Sequence, residues 1–107
     1  MSQYEFKETD WKLFRAKLPG WQEAYMEKLC RGYADLLAED RPASEKFWEL
    51  EKKISSDKNA TGVVAELKRS KMDEALINLV YEGAITPEDL EEFSGDLQEY
   101  IAFVTKR

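Results

Sequence analysis

The chain has 107 residues with a net charge of −6, 36% charged residues and 43% hydrophobic ones, including three Trp, five Tyr and five Phe. That is one domain's worth of sequence with enough apolar and aromatic material to exclude disorder. The absence of His excludes Ser-His-Asp and Cys-His catalysis and His-containing zinc sites, and a lone Cys excludes an internal disulfide.

With three Pro and five Gly against abundant Leu, Ala, Glu and Lys, the expected fold class is all-α: a small single-domain bundle of about five helices spanning 1–107. The segment "DWKLFRAKL" reads as a first helix, capped by Thr9 or Asp10, with Trp11, Phe14, Arg15 and Leu18 on one face. Pro19-Gly20 admits three arrangements: a helix end, the start of the next helix, or a kink within one long helix. Trp21, Tyr25, Leu29, Tyr33 and Leu36 continue the stripe, widened by Met26 and Leu37. After the loop "EDRPAS", Ser44 is placed to cap "EKFWELEKKI", where Phe47, Leu50, Glu51 and Ile54 follow helical spacing. The polar turn "SSDKNATG" follows, then "VVAELKR" as a short helical opening that restarts at Ser70, with Ser70 and Asp73 as a weak capping pair. Met72 to Glu82 forms a further helix, with Met72, Leu76, Leu79 and Val80 on one side, and Gly83 fits the position just past its end. Thr86, Pro87 and Asp89 make the clearest helix start in the chain. The spacing of Leu90, Phe93, Leu97, Tyr100, Ile101 and Val104 predicts that this helix runs on through Gly95 towards the C-terminus.

No Gly-rich phosphate loop occurs, and the expectation is a protein that is not an enzyme and needs no cofactor or metal. "DKNATG" begins like a calcium loop, but the chelating twelfth position is Lys68, so a polar turn is the better reading. Cys30 lies at the edge of its stripe and reads as a small half-buried hydrophobe, with a reactive thiol as the alternative. No basic-then-apolar leader and no run of about 20 apolar residues is present, so the chain is expected to be cytoplasmic, without a membrane span.

Charge distribution carries the strongest functional signal. Residues 1 to 71 are nearly balanced, with 14 basic and 13 acidic residues, whereas residues 72 to 105 hold nine acids and no base. On the predicted last helix Glu88, Glu92, Asp96 and Glu99 form a row, and Phe103 projects to the same side. Two explanations stand: a solvated helix face whose first acids suit the helix dipole, or a carboxylate row offered to the basic surface of a protein partner, with Phe103 as an apolar anchor. A second candidate surface is Lys68, Arg69 and Lys71, which would serve a small DNA- or RNA-binding regulator. A third is a homodimer built on the apolar face of residues 72 to 81.

The segments "TDWKLFRAKLPGWQEAYMEKL", "PASEKFWELEKKI" and "GAITPEDLEEFSGDLQEYI" give the chain a resemblance to a set of small uncharacterised helical proteins of Gram-positive gut and oral bacteria. These are often encoded on conjugative or phage-like elements. The likeness covers nearly the whole chain and is most specific in the Trp-rich N-terminal segment. Some members bear the label multidrug transporter, which does not fit a chain without a membrane-length apolar run. The resemblance supplies no catalytic residues. By analogy it implies an accessory or counter-defence role, such as an inhibitor of anti-CRISPR or anti-restriction type acting on a nuclease of host immunity.

Overall fold

The computed structural model describes residues 4–106, which are all-α, with no strand among them. Five helices follow in order: α1 (Glu8–Leu37), α2 (Ala43–Asp57), α3 (Thr61–Val64), α4 (Met72–Tyr81) and α5 (Gly95–Thr105). Short 3-10 turns occupy Arg69–Lys71 and Pro87–Leu90.

Pro19 does not divide the first two predicted helices. α1 runs unbroken for 30 residues with Pro19 inside it, about 45 Å at 1.5 Å per residue. Proline withholds one ladder hydrogen bond, but Pro19 and Gly20 both face solvent. The flanking turns are held by packing: Leu18 is buried in the core, and the Gln22 side-chain amide donates to the Ala65 and Val63 carbonyls at 3.0 and 3.4 Å.

The core lies at one end of the molecule. Trp11, Phe14 and Leu18 of α1 meet Met72, Ala75, Leu76 and Leu79 of α4, together with Ile85, Leu90, Phe93, Leu97 and Ile101. The apolar face of residues 72 to 81 is therefore used inside the protein and is not available as the dimer surface suggested by its sequence. Gly83 ends α4 with φ +75°, the left-handed conformation that terminates helices at little cost only for glycine.

Beyond the core, the C-terminal half of α1 and the whole of α2 form an antiparallel arm. The Tyr33 hydroxyl donates to Asp57 at 2.6 Å, and Lys46 donates to the Leu37 and Glu39 carbonyls at the end of α1, where a cation suits the helix dipole. No residue of α2 is buried. Cys30 is exposed, not half-buried, because the arm is only two helices thick at that point.

Most caps differ from those expected. Lys7, Pro42 and Lys71 occupy the N-cap positions of α1, α2 and α4, without side-chain cap bonds, so Thr9, Asp10, Ser44 and Ser70 do not cap. Asp10 is buried and takes a different role. Its carboxylate accepts from the Ser94 backbone N–H at 2.8 Å, the Ser94 hydroxyl at 2.6 Å and the Tyr4 hydroxyl at 2.7 Å. Burial, followed by the hydrogen bond to Asp10, pushes the Tyr4 hydroxyl well above the ordinary phenol range.

A candidate protein-interaction surface

The long C-terminal helix predicted from Thr86 onward is broken. Thr86 and Asp89 form the expected capping box, but it opens only the 3-10 turn Pro87–Leu90. The chain then leaves helical geometry until Ser94, whose hydroxyl accepts from Leu97 N–H at 3.2 Å and starts α5 at Gly95. Asp10 draws both the Ser94 N–H and hydroxyl to itself, which satisfies in the core a backbone donor that a continuous helix would have used in its own ladder.

The break divides the acidic row. Glu88 sits on the 3-10 turn, Glu92 in the segment before Ser94, and Asp96 and Glu99 on α5. At 100° per residue, Asp96, Glu99 and Phe103 share the outward face of α5, away from buried Leu97 and Ile101. Phe103 is 64% exposed.

Partners absent from the local sequence arrive from other elements. Lys17 of α1 reaches Glu92 at 2.5 Å and Lys7 reaches Asp96 at 3.2 Å. The Glu82 carboxylate accepts the Thr61 and Gly62 backbone N–H groups at 2.8 and 2.9 Å and so caps α3, while Glu74 lies 3.8 Å from Lys71. The acids of the C-terminal third that make no ion pair with any described residue and do not cap a helix or turn are Asp73, Glu88, Glu91 and Glu99.

Beside Glu99 lies an apolar groove of about 280 Å³, walled by Val80, Pro87, Leu90, Ile101 and Ala102, with Glu99 on its rim. Nothing in the sequence pattern announced it, because it forms where the 3-10 turn and α5 diverge over α4. Glu88, which follows Pro87 directly, is exposed on the 3-10 turn. Comparison of the chain with family models, with curated proteins and with solved structures found no match.

The basic segment is engaged internally. Arg69 forms a bidentate pair with Glu8, at 2.7 and 2.6 Å, and its guanidinium lies 6.0 Å from the Phe6 ring and 5.7 Å from the Trp11 ring. Lys68 faces Glu66 at 3.3 Å, and Lys71 faces Glu74. The residues once resembling a calcium loop are also committed locally: Asp57 ends α2 and accepts from Tyr33, Asn59 donates to the Ser55 carbonyl, and Thr61 begins α3. Among the described residues, no three of His, Cys, Asp or Glu gather as a metal-binding group, and no helix is long and apolar enough to cross a membrane.

Proposed function

We propose that this is a non-enzymatic, cytoplasmic interaction protein whose α5 face takes a basic segment of a protein partner and blocks that partner's nucleic-acid-binding surface. One observation carries the reading. Glu99, which makes no ion pair among the described residues, stands between exposed Phe103, one turn further along α5, and the apolar groove on its other side. A Lys or Arg from a partner would meet carboxylate at its head and apolar surface along its stem, and an exposed aromatic is the residue type that anchors such contacts. Glu88 adds an exposed carboxylate on the turn that carries Pro87 of that groove. Glu92 and Asp96, both 66% exposed, sit in surface ion pairs worth about 0–1 kcal/mol, so a partner's arginine displaces Lys7 or Lys17 at small cost. The proposed partner class, a nuclease of host defence, is taken by analogy with the mobile-element proteins that the sequence resembles.

Arg69, held bidentately by Glu8 and set against the Phe6 and Trp11 rings, is committed internally, which favours this reading over direct nucleic-acid binding; Lys68 and Lys71 sit in surface pairs as weak as those of Glu92 and Asp96. The test is competition: purified restriction enzymes and RNA-guided nucleases are assayed for DNA binding with the wild-type protein and with a Glu99→Lys, Phe103→Ala variant. The variant should inhibit a susceptible nuclease at least about tenfold less, about 1.4 kcal/mol. Equal inhibition by the two proteins, or a panel in which no nuclease loses DNA binding, rejects the proposal. Glu99 is the better target than Glu92 or Asp96 because reversing it breaks no ion pair among the described residues.

A further inference from the structure

A cleft opens where the segment before α1 passes the 3-10 turn Arg69–Lys71 and the start of α4. Its volume is about 390 Å³, within the range of roughly 300–1,000 Å³ that small-molecule sites occupy, and it shares no residue with the α5 surface. The rings of Tyr4 and Phe6 line it together with Met72. The Tyr4 hydroxyl is turned to Asp10, which leaves its ring to the cleft, and Phe6 is 44% exposed. The Arg69 guanidinium lies 6.0 Å from the Phe6 ring. Aromatic rings and guanidinium planes of this kind take flat heterocycles by stacking.

The polar groups of the cleft are Arg69, Ser70 and Asp73. Neither Ser70 nor Asp73 makes a hydrogen bond or ion pair with any described residue. Glu8 takes one N–H from each terminal nitrogen of Arg69, which leaves the Nε and outer N–H groups as donors. Burial, then Asp10, raises the Tyr4 hydroxyl, and the charge of Asp73 adds to them, so that carboxylate stands within electrostatic reach of Tyr4. Arg69 and Ser70 precede Asp73 by four and three residues in one helical run, a spacing that sets side chains about 5–6 Å apart at Cβ. An acceptor-only carboxylate is thus flanked by donors.

Charge narrows the ligand class. An organic cation drawn by Asp73 would meet Arg69, and an anion drawn by Arg69 would meet Asp73 and Glu8. A neutral, flat molecule with a donor edge beside an acceptor suits both. Among the nucleobases, guanine alone carries two adjacent donors, N1–H and the 2-amino group, which match the two oxygens of one carboxylate. Its O6 lies next to them, in reach of a hydroxyl or guanidinium donor. Adenine and cytosine set a ring acceptor beside their single amino group, against the second oxygen of Asp73, and uracil holds its N–H between two carbonyls. We infer that this cleft binds the guanine base of a free nucleoside, with N1–H and the 2-amino group on Asp73, O6 towards Ser70 and Arg69, and the ring stacked on Phe6 and Tyr4. A nucleic-acid strand fits less well, because Glu8 and Asp73 stand where a strand needs a basic track.

Guanosine titrated to about 1 mM into isotope-labelled protein, followed by amide NMR, tests this at residue resolution. Shifts should centre on Phe6, Arg69, Ser70 and Asp73 with a Kd on the order of 100 µM, and adenosine should bind at least about tenfold more weakly. Asp73→Asn exchanges one acceptor oxygen for a donor, so this variant should prefer xanthosine, whose 2-oxo group accepts, over guanosine. A residue that merely supports the fold would not invert the preference. Phe6→Ala should weaken guanosine about fivefold or more through lost stacking. A single-stranded hexamer with one guanine should bind no tighter than guanosine. Absence of shifts at these residues, equal binding of adenosine, a guanosine preference retained by Asp73→Asn, or a hexamer bound about tenfold more tightly overturns the inference.

Discussion

Asp10 is an acid enclosed by an apolar core, and its three hydrogen bonds join α1 to the start of α5. Removing it leaves the Ser94 N–H and two hydroxyls without their acceptor in a region from which solvent is largely excluded. Asp10→Ala should therefore lower unfolding free energy by about 3 kcal/mol, read as a shift in the urea midpoint. Glu91→Ala, at an exposed acid without an ion pair among the described residues, should stay within about 0.5 kcal/mol of wild type. Tyr33 gives a pH signature. Burial, reinforced by the Asp57 hydrogen bond and charge, pushes its hydroxyl up to about 12. The folded state thus holds this proton more tightly than the unfolded chain, whose phenol titrates near 10. The resulting stability is fully present below about pH 10 and is lost as pH rises towards 12. Melting temperature should fall across that window, and Tyr33→Phe should flatten the fall. Asp10 was legible only as a cap, because nothing near it in sequence reveals a partner 84 positions away.

Among the elements, α4 with its terminating Gly83 could be read directly, since Met72, Leu76 and Leu79 repeat at helical steps and are buried as expected. The capping box at Thr86 was read correctly as local geometry, but the periodicity of Leu90, Phe93, Leu97 and Ile101 hid the break before α5. These residues face one core from two separate segments, so their spacing mimics a single helix. Ser94 before Gly95 and Asp96 carried the missing signal, as an N-cap residue within an apolar run. The aromatics of α2 show the complementary limit: spacing identifies a stripe and does not say what lies against it. Two glycines give opposite predictions. Gly20 is an exposed interior position of α1 with open space around its Cα, so Gly20→Ala should stabilise by about 0.5–1 kcal/mol. At Gly62 a Cβ would fall on ring atoms of Tyr25, so Gly62→Ala should destabilise by about 1–3 kcal/mol. Thermal melts of the two variants would separate these signs.

At the scale of the molecule, a chain of 107 residues packed into a sphere-like shape has a radius of gyration of about 13 Å. The value here is 16.5 Å, with extents of 53 × 28 × 21 Å, because the arm extends from the core. Amides of α2, with no buried residue, should exchange with solvent faster than those of α4. Charge asymmetry also changes at this scale. The separation visible along the sequence is partly closed in space by Lys7 and Lys17, and the acids left without an ion pair or cap among the described residues are Asp73, Glu88, Glu91 and Glu99.

The link between Asp10 and Ser94 has a consequence for how the protein is made. During synthesis α1 emerges early, yet Trp11, Phe14 and Leu18 have nothing to close against until α4 and the segment from Ile85 to Ile101 follow. The α1–α2 hairpin needs only contacts close in sequence and can assemble while the ribosome is still working, whereas the core waits for a pairing of high sequence separation. For that interval the nascent chain presents the apolar face of the first half of α1 unprotected. A ribosome stalled between Tyr81 and Ser94 would therefore hold a formed arm attached to an open core.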